Sequence, residues 1–168
     1  MTELHSTGDR KSKTKARAAH LFRQAEKEWH RNNARSALRL YISAAAAGDI
    51  GALLNVGYFY DQGIGTRRNQ ATAMYWYKRA WRHRHPAAAN NLGTIWRDRG
   101  QVLHALTWFH KAAKLGYEGA NLEIAKHYIL NQDPRKAIAC LNRVIRSSRV
   151  SEADVEEAKS LLARIKKE

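Results

Sequence analysis

Small residues recur through this chain at intervals that a stacked repeat produces. Ala25 is followed by Ala37 after 12 residues and by Ala44 after 7 more, and Gly93, Ala105 and Ala112 repeat the 12 and the 7. Ala125, Ala137 and Val144 show them again, while Gly57, Ala73 and Ala80 show 16 and 7, the same unit lengthened by four residues. The step into the next unit is 13 residues each time, so the period is 36, 32 and 32 residues. A period in this range means one supersecondary unit per repeat, each unit burying a face that its neighbour alone would leave exposed.

The spacing predicts that the unit is a helix hairpin. Small residues let two antiparallel helices approach closely, and large ones beside them fill the groove. Before each last small position stand two bulky or apolar residues, at minus four and minus three. They are Leu40-Tyr41, Trp76-Tyr77, Trp108-Phe109 and Cys140-Leu141. Those offsets lie on one helical face. Asp133-Pro134 suits a helix cap followed by proline in the first turn. After Ser151, one face carries Val155, Ala158, Leu161, Leu162 and Ile165, as a terminal cap over the last hairpin would. The expected fold is all-α: a short solenoid of about four helix hairpins (15–149) with a C-terminal capping helix (150–168). Residues 1–14 are polar and basic, too poor in apolar surface to offset ordering, and are expected to form a flexible arm.

Composition removes several function classes. The single cysteine, Cys140, excludes an internal disulfide framework or a zinc ribbon. With 10 Gly and 2 Pro in 168 residues, turn chemistry for many short strands is scarce. Neither a membrane span nor a secretory signal is evident, so a cytoplasmic protein is expected. The net charge is +15, contributed as +6 by residues 1–40, +5 by 41–100, +5 by 101–150 and −1 by the remainder. Such a spread fits a surface that attracts polyanions or an acidic protein, and equally a solubilising helical surface.

The second unit resembles a Sel-one-like repeat, a branch of the tetratricopeptide superfamily. Asn55-Val56-Gly57-Tyr58-Phe59-Tyr60-Asp61-Gln62-Gly63-Ile64-Gly65, followed by Ala73-Met74-Tyr75-Trp76-Tyr77-Lys78-Arg79-Ala80, is similar to that family's pattern. The third unit keeps Asn91-Leu92-Gly93, Trp96, Ala105, Trp108-Phe109, Ala112-Ala113 and Gly116, without the loop insertion. The first and fourth units are weaker, and Arg84 stands where Gly48 and Gly116 end their helices. The second hairpin is therefore expected to close differently. The resemblance implies a right-handed solenoid that works as a protein-interaction scaffold, with the partner on the concave face lined by the first helix of each hairpin. It implies neither catalysis nor a cofactor. The outward positions of those helices are Asn55, Tyr58, Asp61, Asn90, Asn91, Thr94, Arg97, Glu123 and Lys126, with Asn55 and Asn91 open to a structural role instead.

Other constellations point to less. Trp76, Trp96 and Trp108 fall at packing positions, whereas Tyr75 and Trp81 lie outside the main stripe. His83-Arg84-His85 lacks the spacing and acidic company of a metal site on a helix. Gly63 to Arg68 has the look of an anion-binding turn, and no nucleophile elbow, zincin or Walker motif is present. Three functions stay open: an adaptor for an acidic protein partner, nucleic-acid binding through the basic arm and arginines, or neutralisation of a toxin. Arg67, Arg68, Arg79, Arg82 and Arg84 are the candidate polyanion contacts. If these join Arg97, Arg99, Lys11, Lys13 and Lys15 in one stripe, nucleic acid gains; if they scatter, the adaptor is preferred.

Overall fold

A computed structural model describes residues 3–166, apart from the side chains of residues 3–9 and 11. Nine helices and no strand occur among the described residues. They are α1 (Glu3–His30), α2 (Ala34–Ala46), α3 (Ile50–Gln62), α4 (Gln70–Arg82), α5 (Pro86–Asp98), α6 (Val102–Lys114), α7 (Ala120–Leu130), α8 (Pro134–Arg146) and α9 (Glu152–Ile165). The chain divides into two compact units, Met1–His83 and Arg84–Glu168. In the first, α1 packs on α2, α2 on α3 and α3 on α4; in the second, the succession runs from α5 through α9.

The small–large register is realised in both units. A Cβ placed on Gly57 would stand 2.5 Å from the Tyr77 ring, and one on Gly93 would stand 2.6 Å from the Phe109 ring. These glycines let α3 and α5 lie directly against aromatic rings of α4 and α6. The residue three before each small position is the deep one, for Tyr41, Tyr77, Phe109 and Leu141 are all buried. At minus four, Leu40, Trp76 and Trp108 are only half-buried, and Cys140 alone is buried. The two positions share a face but not a depth, because α-helical geometry turns minus four about 100° away from minus three, toward the rim. Arg79, Arg99 and Lys111 lie over the rings of Trp76, Trp96 and Trp108, at 4.8, 5.5 and 4.1 Å from their centroids.

An edge-to-face aromatic chain joins the hairpins of the first unit. Phe22 meets Tyr41 at 5.5 Å, Tyr41 meets Phe59 at 5.5 Å, and Phe59 meets Trp29 at 5.1 Å. Such contacts add directionality to the apolar burial. The four-residue insertion has a packing role here. Gly65, at φ +65, brings its Cα so near the start of α2 that a Cβ would lie 2.7 Å from the Ala34 carbonyl carbon.

Caps fix the helix starts. Asp49, Asn69, Asp133 and Ser151 accept hydrogen bonds from the backbone N–H groups of Ala52, Thr72, Lys136 and Asp154. Pro134 occupies the first turn of α8 as the sequence indicates. Met1 and Thr2 lie outside the described residues, and the backbone of the segment expected to form an arm is helical from Glu3, continuous with the rest of α1. No proline interrupts it, and extending an existing helix is far less costly than nucleating one. The second hairpin also closes like its neighbours: Arg84 takes the left-handed conformation at φ +57 that Gly48 and Gly116 adopt at +97 and +85.

Two predictions follow from this packing and backbone geometry. Gly93→Leu should destabilise the protein by about 3 kcal/mol, since the Phe109 ring occupies the space the side chain needs. An unchanged thermal midpoint would contradict the α5–α6 contact. Arg84→Gly should stabilise by about 0.5–1 kcal/mol by relieving left-handed strain at a side-chain-bearing residue. A lowered denaturant midpoint would contradict that.

Candidate interaction surfaces

Charge is sorted between the two kinds of helix. The second helices carry only cations: two in α2, three in α4, two in α6 and four in α8, with no Asp or Glu in any of them. The first helices α3, α5 and α7 carry Arg97 and Lys126 against Asp61, Asp98 and Glu123. Along α3, α5 and α7 the face expected to attract an acidic partner therefore has no surplus of positive charge, whereas α1 has seven Lys or Arg against four Asp or Glu.

What charge it has is paired. Glu123, with an 18% exposed side chain, accepts hydrogen bonds from Arg97 Nη1 at 2.7 Å and Lys126 Nζ at 3.1 Å. Lys126 also reaches Glu157 of α9 at 2.9 Å, and Arg97 reaches Asp98 at 3.0 Å. Burial works to raise the Glu123 carboxyl, but the hydrogen bonds and charges of Arg97 and Lys126 hold it below the usual carboxylate value. Glu123 occupies the place that Asn55 and Asn91 hold in the preceding units, two residues before the small position.

The remaining expected contact residues take different roles. Tyr58 is 46% exposed on α3. Asn55 hydrogen-bonds Tyr41, whose phenol is pushed up by burial and by Glu26 against that hydrogen bond. Asn90, Asn91 and Thr94 are half-buried, and Thr94 donates to the Asn90 carbonyl oxygen at 3.2 Å. Asp61, expected to face outward, is buried at 8% exposure. Its carboxylate stands 4.0 Å from Arg68, whose Nε donates to the Asp61 carbonyl oxygen at 2.8 Å. Asp61 follows Gly57 by four residues, so helical register sets it on the α3 face that packs against α4, and Arg68 of the insertion loop returns to it.

The candidate polyanion arginines do not share one place. Arg67 and Arg68 precede α4, while Arg79 and Arg82 stand at its other end, separated by about 15–20 Å of helix. Arg84 follows α4, and Lys11's side chain lies outside the described residues. The turn from Gly63 to Arg68 is held by its own packing, and Asn69 already caps the Thr72 N–H. Among the described residues no group of three or more His, Cys, Asp or Glu could hold a metal ion. His85 starts α5 with its Nδ1 buried and without a hydrogen-bond partner among the described residues, and burial lowers its pKa. Tyr75 is exposed as expected, at 57%, whereas Trp81 is half-buried.

A groove missed by the sequence reading lies in the second unit. It has a volume of about 820 Å³ between α6 and α8, with α7 residues beneath. Lys114, Lys136, Arg143 and Arg146 line it, with Glu118 as the one lining carboxylate. The signal was present in the sequence: Lys136, Arg143 and Arg146 are spaced by seven and three, one face of a helix. Burial pushes the Cys140 thiol in this groove up, with the Arg143 charge opposing, so it is protonated at neutral pH.

Hairpins packed one on the next within each unit define an all-α repeat protein of the solenoid class. The chain belongs to the Sel1 repeat family, whose model matches residues 30–49, 50–82 and 86–117. It is 29% identical over 75 residues to the putative sel1-like repeat-containing protein L21 of Acanthamoeba polyphaga mimivirus, covering 45% of this chain and 14% of that one. Among solved structures it is similar to a Sel1 repeat protein of Oxalobacter formigenes, with a TM-score of 0.69, 20% identity, and coverage of 88% of this chain and 62% of the other. It is also similar to c5321, a protective antigen of uropathogenic Escherichia coli strains displaying an SLR fold. There the TM-score is 0.73 and the identity 18%, over 88% of this chain and 33% of that one. The chain thus spans less than two thirds of each of these relatives. Sel1 repeats generally mediate protein–protein interaction and generally form non-enzymatic scaffolds. No helix among the described residues is long and apolar enough to cross a membrane.

Glu123→Gln should destabilise the second unit by about 1 kcal/mol at neutral pH, a modest figure because Arg97 and Lys126 are partly exposed. The depressed Glu123 pKa contributes stability that is complete above the ordinary value of 4.5 and is lost as pH falls through the folded value. Chemical unfolding at pH 7 and pH 3 should show a smaller acid-induced loss in Glu123→Gln than in wild type. Equal losses would remove Glu123 from the acid response.

Proposed function

We propose that this chain is a non-catalytic interaction module for an acidic protein partner. The single observation that carries the reading is the sorting of charge: α2, α4, α6 and α8 contain Lys and Arg but no Asp or Glu. Unscreened surface charge of one sign accelerates encounter with a partner of the other and weakens with salt. The first helices supply short-range recognition through Tyr58, Asn91, Thr94 and the partly exposed Arg97 and Lys126. Terminal helix α9 serves as the cap of the last hairpin. Dispersal of Arg67, Arg68, Arg79 and Arg82 between opposite ends of α4 favours a protein over a nucleic acid, which would need a continuous phosphate track.

The test is capture from native extract, with and without nuclease, followed by elution in rising salt. A defined acidic protein should survive nuclease treatment, elute as salt rises, and be retained less by a Tyr58→Ala variant. Material that disappears on nuclease treatment would overturn the reading in favour of nucleic acid.

A further inference from the structure

Resting on the acidic-partner reading, we infer that the groove between α6 and α8 binds an extended acidic peptide segment of the partner. Its floor is apolar and its flanks are cationic. Ala113 and the buried Ile124 and Cys140 line it, and Lys114, Arg143 and Arg146 are exposed along it. None of those three cations has a carboxylate partner among the described residues. Lys136 is engaged, 2.7 Å from Asp133 and over the Tyr128 ring at 5.4 Å, so it marks the end of the open stretch.

The dimensions select the ligand. From Lys136 to Arg146, α8 rises about 15 Å, the length of about five extended residues. In an extended chain successive side chains point to opposite sides. Small apolar side chains can then meet the floor while the intervening carboxylates reach the long cationic arms at its edge. Single-stranded nucleic acid is a poorer fit, because its bases stack on open aromatic faces. Of the two rings that line the groove, Tyr128 already has Lys136 over it, and His110 alone makes no run of stacking faces.

The probe is a fluorescein-labelled peptide of about ten residues alternating Glu and Val, titrated with the full chain and read by anisotropy. Arg143→Glu/Arg146→Glu should weaken binding by about tenfold or more. The same charge change at exposed α2 and α4 positions, Arg39→Glu/Lys78→Glu, should weaken it by less than about threefold, and a Lys–Val peptide should not bind. Circular dichroism checks that each variant folds; if the reversal variant does not, Arg143→Gln/Arg146→Gln replaces it. Equal weakening by both variants, or absence of saturable binding, would overturn the groove assignment. So would an oligo-dT of similar length that binds more tightly and depends on Arg143 and Arg146. If the chain captures a nuclease-resistant acidic protein yet ignores the peptide, the groove assignment fails and the interaction module stands.

Discussion

The close approach of a first helix to an aromatic ring on the second is the contact on which the structure depends. Gly57 against Tyr77 and Gly93 against Phe109 leave no room even for a methyl group. With the helix backbone itself serving as the wall of the ring's pocket, each hairpin has one depth and one register. The hairpins flanking these two use a slightly larger small residue, Ala25 and Ala125, with Tyr41 and Leu141 again buried. Tight packing of this kind tolerates little volume change, which is why the small positions recur even where other features of the unit fade.

Two kinds of outer surface follow from that packing. First helices sit beside the next hairpin's first helix within each unit, so a charge placed on them meets neighbours. Glu123, Arg97, Lys126 and Glu157 resolve this crowding by pairing across α5, α7 and α9. The outward residues of the second helices meet water and tolerate like charges, because solvent screens them. Eliminating every acid from those helices has no packing rationale. It is the feature that most distinguishes this surface from one that is merely solubilised.

The irregular positions show how local chemistry is overridden. Arg84 adopts a left-handed backbone where glycine would be unstrained, because the chain must turn there to start α5 whatever residue it carries. Asp61 is withdrawn from the surface because it follows Gly57 by one helical turn, on the α3 face that packs against α4, where Arg68 returns to donate to its carbonyl oxygen. In both cases the constraint comes from elements already placed by the small–large contacts.

The hairpin, its period and its small–large register are legible along the chain, since these are spacings and helical geometry converts them directly into faces. So are the cap at Asp133 and the terminal helix, whose signals are local. Which polar residues are available depends on packing between distant segments. Asp61 and Tyr58 were both expected on the outward face, yet packing of α4 against the Gly57 side of α3 buries Asp61, one turn on, and leaves Tyr58 exposed. Likewise, Lys114 and Arg143 lie on different helices, and only packing of α6 and α8 over α7 makes them walls of one groove. Spacing along a helix fixes direction from that helix's axis. What stands in that direction is settled by distant segments, through contacts that no local period encodes.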